Sequence, residues 1–171
     1  MKSILVQGSK NREALYHIQV SQNMGTPFKG TFEEEMPGLT FFQEIPKDIE
    51  VVWLLKPTLK ALLRVASIPL IIADLTKFPE HDKKKVSGLP IIEGLIIPGS
   101  CRLGTMPPAL FMKGPLGFIS RSKSLAYEAA YETTKSGVGQ SLVMVVKNGS
   151  LEKFKDILKK YFSIEEIREI I

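Results

Sequence analysis

The chain has 171 residues, 44% hydrophobic and 24% charged, ordinary for a globular protein that buries a core as one domain or as one domain with a partial second. Its formal charge of +5 suits an anionic ligand, but apart from Lys83-Lys84-Lys85 the lysines are scattered among glutamates and no recognised motif accompanies them, so nucleic acid is not expected as a partner. No apolar run approaches the roughly 20 residues that span a bilayer. The N-terminus turns polar too early for a signal peptide, and the single cysteine, Cys101, with two distant histidines excludes an intrachain disulfide and implies no metal. The expectation is a cytoplasmic protein without membrane or metal.

Ile4 to Val6 reads as a strand closed by Gln7 and Gly8, and Ala14, Leu15 and Ile18 give the segment from Glu13 to Ser21 a helical period. Strand, glycine turn and helix are how a Rossmann-type domain begins. Only Gly8 offers close backbone approach to a phosphate, because Ser9, Lys10, Asn11 and Arg12 follow it; Lys10 and Arg12 would bind by charge. Asn23 to Pro27 breaks the helix, and Phe28 to Pro46, with Glu33, Glu34 and Glu35 in a row, reads as loop with at most one short strand. Val51 to Leu55 is a buried strand. Pro57 at the first helical position opens a helix whose apolar face is Leu59, Leu62, Leu63 and Ala66, and Leu70 to Ala73 is the next strand. Alternating strands and helices predict an α/β fold with a parallel sheet. His81 to Val86 reads as a short solvated helix, and Leu95 to Ile97 as the lead into a joining segment at Pro98-Gly99.

The distal half is organised around the stretch from Gly117 to Glu132. The apolar run from Leu116 to Ile119 stops at Ser120, Arg121, Ser122, Lys123 and Ser124, and Leu125, Ala129 and Ala130 then recur at helical spacing. Ser122 or Ser124 is the N-cap. The remaining amides, the positive end of the helix dipole and Arg121 converge on a spot suited to phosphate or carboxylate, although an ordinary capped helix would carry the same pattern. Gln140 to Val146 is a further strand and Lys147 to Gly149 a turn. Leu151, Phe154, Ile157 and Leu158 have helical period, and Ile164 to Ile171 is a last helix or an edge strand, with the periodicity favouring helix.

Three blocks, from Pro98 to Pro107, from Gly117 to Glu132 and from Gly137 to Ser141, resemble in order and spacing the α subunit of succinyl-CoA synthetase and the nucleoside-diphosphate-forming acyl-CoA synthetases. The resemblance implies a Rossmann-like CoA-binding-type domain over residues 1–98 and a partial, flavodoxin-like ligase domain over residues 99–171. It places the CoA phosphates at Gly8, Ser9, Lys10, Asn11 and Arg12, a phosphate or carboxylate at Ser120, Arg121, Ser122, Lys123 and Ser124, and the acyl substrate beside Tyr127. It also marks departures. Glu33 to Gly38 stands where the family has a CoA-contacting lysine loop, Leu75-Thr-Lys77 replaces a Thr-Glu-Gly turn, and Ile91-Ile92-Glu93 replaces Asn-Cys-Pro. Lys123 replaces a glycine and either blocks close backbone approach or adds a cation. The family's phosphorylated histidine lies further downstream than this sequence reaches, so catalysis by the chain alone is not expected. CoA is a possible ligand at a degenerate site. A homo-oligomer or a β-subunit-like partner is expected, with a non-catalytic interaction protein as the alternative. Cys101 reads as a buried small hydrophobe, and His17 as structural.

Overall fold

The computed structural model describes residues 3–146 and the short strand Glu169–Ile170. The first sheet contains β1 (Ile4–Gln7), β2 (Phe28–Phe32), β3 (Val51–Leu54), β4 (Leu70–Ala73) and β5 (Ile91–Ile92), in the order β2-β1-β3-β4-β5 with every pair parallel. α1 (Arg12–Asn23) joins β1 to β2, α2 (Leu59–Arg64) joins β3 to β4, and α3 (Glu80–Lys85) joins β4 to β5. The chain first moves outward from β1 to β2 and then returns to the other side of β1 at β3. In open α/β sheets this reversal opens a crevice at the carboxyl ends of the two strands, where ligands bind.

The strand residues alternate as the pleat requires. Leu5, Val52, Leu54 and Ile71 pack with Ala61 and Leu62 of α2, whereas Ile4, Val6, Trp53 and Ile72 face α1 and the second sheet. That second sheet has the order β10-β8-β9-β6-β7, from β6 (Gly94–Ile97), β7 (Cys101–Leu103), β8 (Lys113–Ser120), β9 (Gln140–Val145) and β10 (Glu169–Ile170). Leu142 and Met144 of β9 join the apolar cluster shared with the first sheet. Val143 and Val145 turn the other way, onto Ala126 of α4 (Lys123–Lys135). The two sheets therefore share one core.

Three expectations change. Pro57 stands just outside α2: Thr58 is the N-cap, its hydroxyl accepting from the Ala61 amide at 3.1 Å, because a threonine can satisfy a free helical amide and a proline cannot. Leu95 to Ile97 is a strand of the second sheet, turning through Gly99 at φ +76° into antiparallel β7. Its run is too short to carry a period of its own, and burial on both faces decides it. Glu169–Ile170 is an edge strand parallel to β8 rather than helix, because β8 supplies ladder partners at Leu116 and Gly117. The first sheet ends with β5 at Ile92 and the second begins with β6 at Gly94. The turn at Lys147 to Gly149 and the helix containing Leu151 lie outside the described residues. Among the described residues no helix is long and apolar enough to cross a membrane.

Candidate functional site

A cleft of about 650 Å³ lies at the carboxyl ends of β1, β3 and β4, where the strand order reverses. Its walls come from both halves of the molecule: Asn11 and His17 from the first turn and α1, Lys56 after β3, Asp74 after β4, and Thr105 and Lys123 from the distal half. Carboxylates and ammonium groups both line it.

At the β1–α1 turn, four consecutive amides are already engaged within the chain. Gly8 donates to the Phe32 carbonyl at 2.8 Å, Ser9 to the Met36 sulfur at 3.2 Å, Lys10 to the Glu34 carboxylate at 2.9 Å, and Asn11 to the Ser9 hydroxyl at 3.4 Å. The Asn11 side chain caps α1 through the Glu13 amide at 2.8 Å. Glu33 holds the acidic loop from the other side, accepting from the Gln7 side chain at 2.6 Å in a left-handed backbone conformation, φ 69°. The loop lies so close that a β-carbon on Gly8 would meet the Glu34 carbonyl oxygen at 1.8 Å. Glycine is required here by the chain's own loop. A carboxylate at the first turn of α1 also complements the helix dipole, as a phosphate oxygen would. Lys10 and Arg12 are exposed.

The β8–α4 turn is built differently. Ser122 is the N-cap, accepting from the Leu125 amide at 3.3 Å, a type of cap worth about 1 kcal/mol. The Ser120 hydroxyl braces the turn, accepting from the Ser122 amide at 3.1 Å and donating to its carbonyl at 2.9 Å. No described residue accepts from the amides of Lys123 and Ser124. The two cations diverge. Lys123 reaches over the cleft to the carboxylates of Asp74 at 3.2 Å and Glu93 at 3.9 Å, while exposed Arg121 lines a separate hollow of about 590 Å³ beside α3. Burial alone would raise the Asp74 carboxyl, but the Thr76 hydroxyl and amide and the Lys123 ammonium together bring it down to about 2. Ser124 is exposed. Tyr127 is half-buried edge-on to Phe111, its hydroxyl pushed upward by burial. The structure therefore brings Ser120 and Ser122 together, places Lys123 on the cleft and turns Arg121 to a separate hollow, with Tyr127 outside the cleft's lining but within the field of its carboxylates Asp74 and Glu93.

Cys101 is wholly buried and its thiol pushed up to about 12, chiefly by burial, which fits an inert core residue. His81 lies exposed on α3 against Asp82. The residues that sequence reading missed are Asp74 and Arg102. Asp74 is a lone carboxylate at a strand end, and its only signal is that position beside the expected ligand crevice. Arg102 lies on β7, with a guanidinium buried against His17 and Ser21. The signal available was a cation between two apolar residues, Cys101 and Leu103.

No protein-family model matches the chain. It is 26% identical to subunit α-2 of the ADP-forming succinate–CoA ligase of Trichomonas vaginalis, over 98% of this chain and 63% of that protein. It is 29% identical to the corresponding α subunit of Aquifex aeolicus, over 81% of this chain and 54% of that protein. The chain thus spans between roughly half and two-thirds of these relatives' length. Among solved structures it superposes on the dinucleotide-forming acetyl-coenzyme A synthetase 1 of Ca. Korarchaeum cryptofilum with a TM-score of 0.72 at 16% identity, covering 98% of this chain and 43% of that one. With the ATP citrate lyase of Methanothrix soehngenii the TM-score is 0.65 at 16% identity, covering 99% and 35%. In sequence the chain is a divergent relative of the α subunits of succinate–CoA ligase, and its α/β architecture is that of the acyl-CoA synthetases.

Proposed function

We propose that this chain is a CoA-related binding or subunit protein of the acyl-CoA synthetase type, and that it does not carry out the ligase reaction by itself. The observation that carries this reading is the cleft at the strand-order reversal, bordered by both halves. Such crevices are the usual ligand sites of α/β sheets, and the named relatives act with CoA. The two histidines and the cysteine support a non-catalytic reading: one ring is engaged by Arg102, the other sits on an exposed helix, and the thiol is buried. The engaged amides from Gly8 to Asn11 and the Glu34 carboxylate support a degenerate CoA site at which the pyrophosphate does not seat. A ligand that does bind then places its uncharged arm, not its phosphates, in the cleft. Calorimetry with CoA tests the proposal: weak saturable heat is expected, and no heat at millimolar CoA overturns it.

A second reading is a non-catalytic protein that docks a partner or a second copy. Its specific support is α4, which keeps Leu125 and Tyr131 in solvent at 63% and 49% exposure. Native mass spectrometry separates the readings, reporting bound ligand and oligomeric state together. A ligand-free monomer at high concentration removes the second.

A further inference from the structure

The distal half reaches into the first at one buried charge. Arg102 is 1% exposed and spans from β7 to α1. Its Nε donates to the Met106 carbonyl at 2.6 Å, its Nη1 to the His17 carbonyl and the Ser21 hydroxyl, both at 3.1 Å, and its Nη2 lies 3.1 Å from Nδ1 of His17. A guanidinium has donors only. The ring nitrogen facing it must therefore accept, which leaves the imidazole neutral with its proton on Nε2. The surroundings agree: burial first, and the Arg102 charge second, lower the proton affinity of His17, against a smaller opposing effect of Glu13. His17 lines the cleft, and no described residue accepts from its Nε2.

We infer that His17 offers a fixed Nε2–H donor to a carbonyl or carboxylate oxygen of the ligand in the cleft, with Arg102 as its positioning residue. The inference rests on the cleft being the ligand site, as proposed above. A tie between α1 and β7 would by itself need only the Nδ1 acceptor. A donor role needs the opposite edge of the ring, and two isosteric replacements separate them. The side-chain amide of His17→Asn can replace Nδ1 as acceptor for Arg102 but does not reach the position of Nε2. The amide nitrogen of His17→Gln reaches that position.

The first measurement is the ring-nitrogen spectrum of the full chain, labelled with nitrogen-15, at pH 7 without ligand. An unprotonated Nδ1 and a protonated Nε2 are expected, and the reverse tautomer or an averaged pair overturns the inference. The second is titration with CoA and, separately, with succinate, following the cleft amides and fitting affinity. His17→Asn is expected to weaken binding by about tenfold while His17→Gln stays within about threefold of the parent, the size of one lost hydrogen bond. Equal affinity of His17→Asn and the parent overturns the donor role and leaves the proposed function standing. If neither probe moves any cleft amide in the parent, both readings fall.

Discussion

The two βα turns that open the longest described helices, α1 and α4, start from similar caps and differ in what the neighbouring loop brings to them. Each ends a parallel strand, opens a helix of three or more turns and points free amides at one spot. At the first turn the chain supplies its own anion. The loop carrying Glu33 and Glu34 folds back, and the amides of Gly8, Ser9, Lys10 and Asn11 all find internal partners. At the second turn no acidic loop folds back: the neighbouring acids, Asp74 and Glu93, are held by the Lys123 side chain, and the amides of Lys123 and Ser124, like those of Arg12 and Ala14 in the first turn of α1, have no partner among the described residues. The difference teaches that strand, turn and capped helix do not make an anion site by themselves. What the adjacent loop carries decides whether the site is open.

The strongest way to break this comparison is Gly8→Ala. The added carbon meets the Glu34 carbonyl at 1.8 Å, so the acidic loop has to move. A loss of about 2 to 3 kcal/mol is expected, as for overpacked cores, read from the shift in urea midpoint. An unchanged midpoint would mean that the loop does not rest on this turn.

Lys123→Ala sharpens the other side. The pair is partly exposed, so its removal costs about 1 kcal/mol or less. The titration of Asp74 is the better readout. Its folded value, about 2, lies below the ordinary 3.8, so its contribution to stability is complete above the ordinary value and is lost as the pH falls toward 2. Without Lys123 the carboxyl is expected to titrate higher, moving the lower end of that window up, as carboxyl carbon shifts would show. A stationary titration would assign the depression to Thr76 alone.

Glu34→Ala frees the Lys10 amide. Pyrophosphate is then expected to bind the first turn about two- to fivefold more tightly than in the parent, the worth of one exposed interaction at a helix end. Shifts of the Ser9 to Arg12 amides would report it, and equal affinities would show that the backbone of the loop, not its charge, closes the turn. The smallest effect belongs to the second turn. Inorganic phosphate is expected to move the amides of Ser122 to Leu125 with millimolar affinity, and Arg121→Ala, which removes a cation turned toward another hollow, to weaken the response by about twofold or less. Abolition of the response would show that Arg121 swings from the hollow beside α3 onto this turn.

Sequence by itself determined the alternation of strands and helices, which follows from side-chain period, and narrowed the cap of α4 to Ser122 or Ser124, the residue types whose side chains accept from free helical amides. It also exposed the family resemblance, carried by ordered blocks of residues. Tertiary structure alone decided the rest. Leu95 to Ile97 became a strand only because β9 and β7 lie on either side of it. Glu34 met the Lys10 amide because β2 returns beside β1, across a separation of 24 residues. Arg102 found His17, 85 residues away, and Lys123 found Asp74, 49 residues away, where the two sheets share a core. Local propensity sees neighbours along the chain, and these contacts depend on how the elements pack. The cleft is made of such contacts.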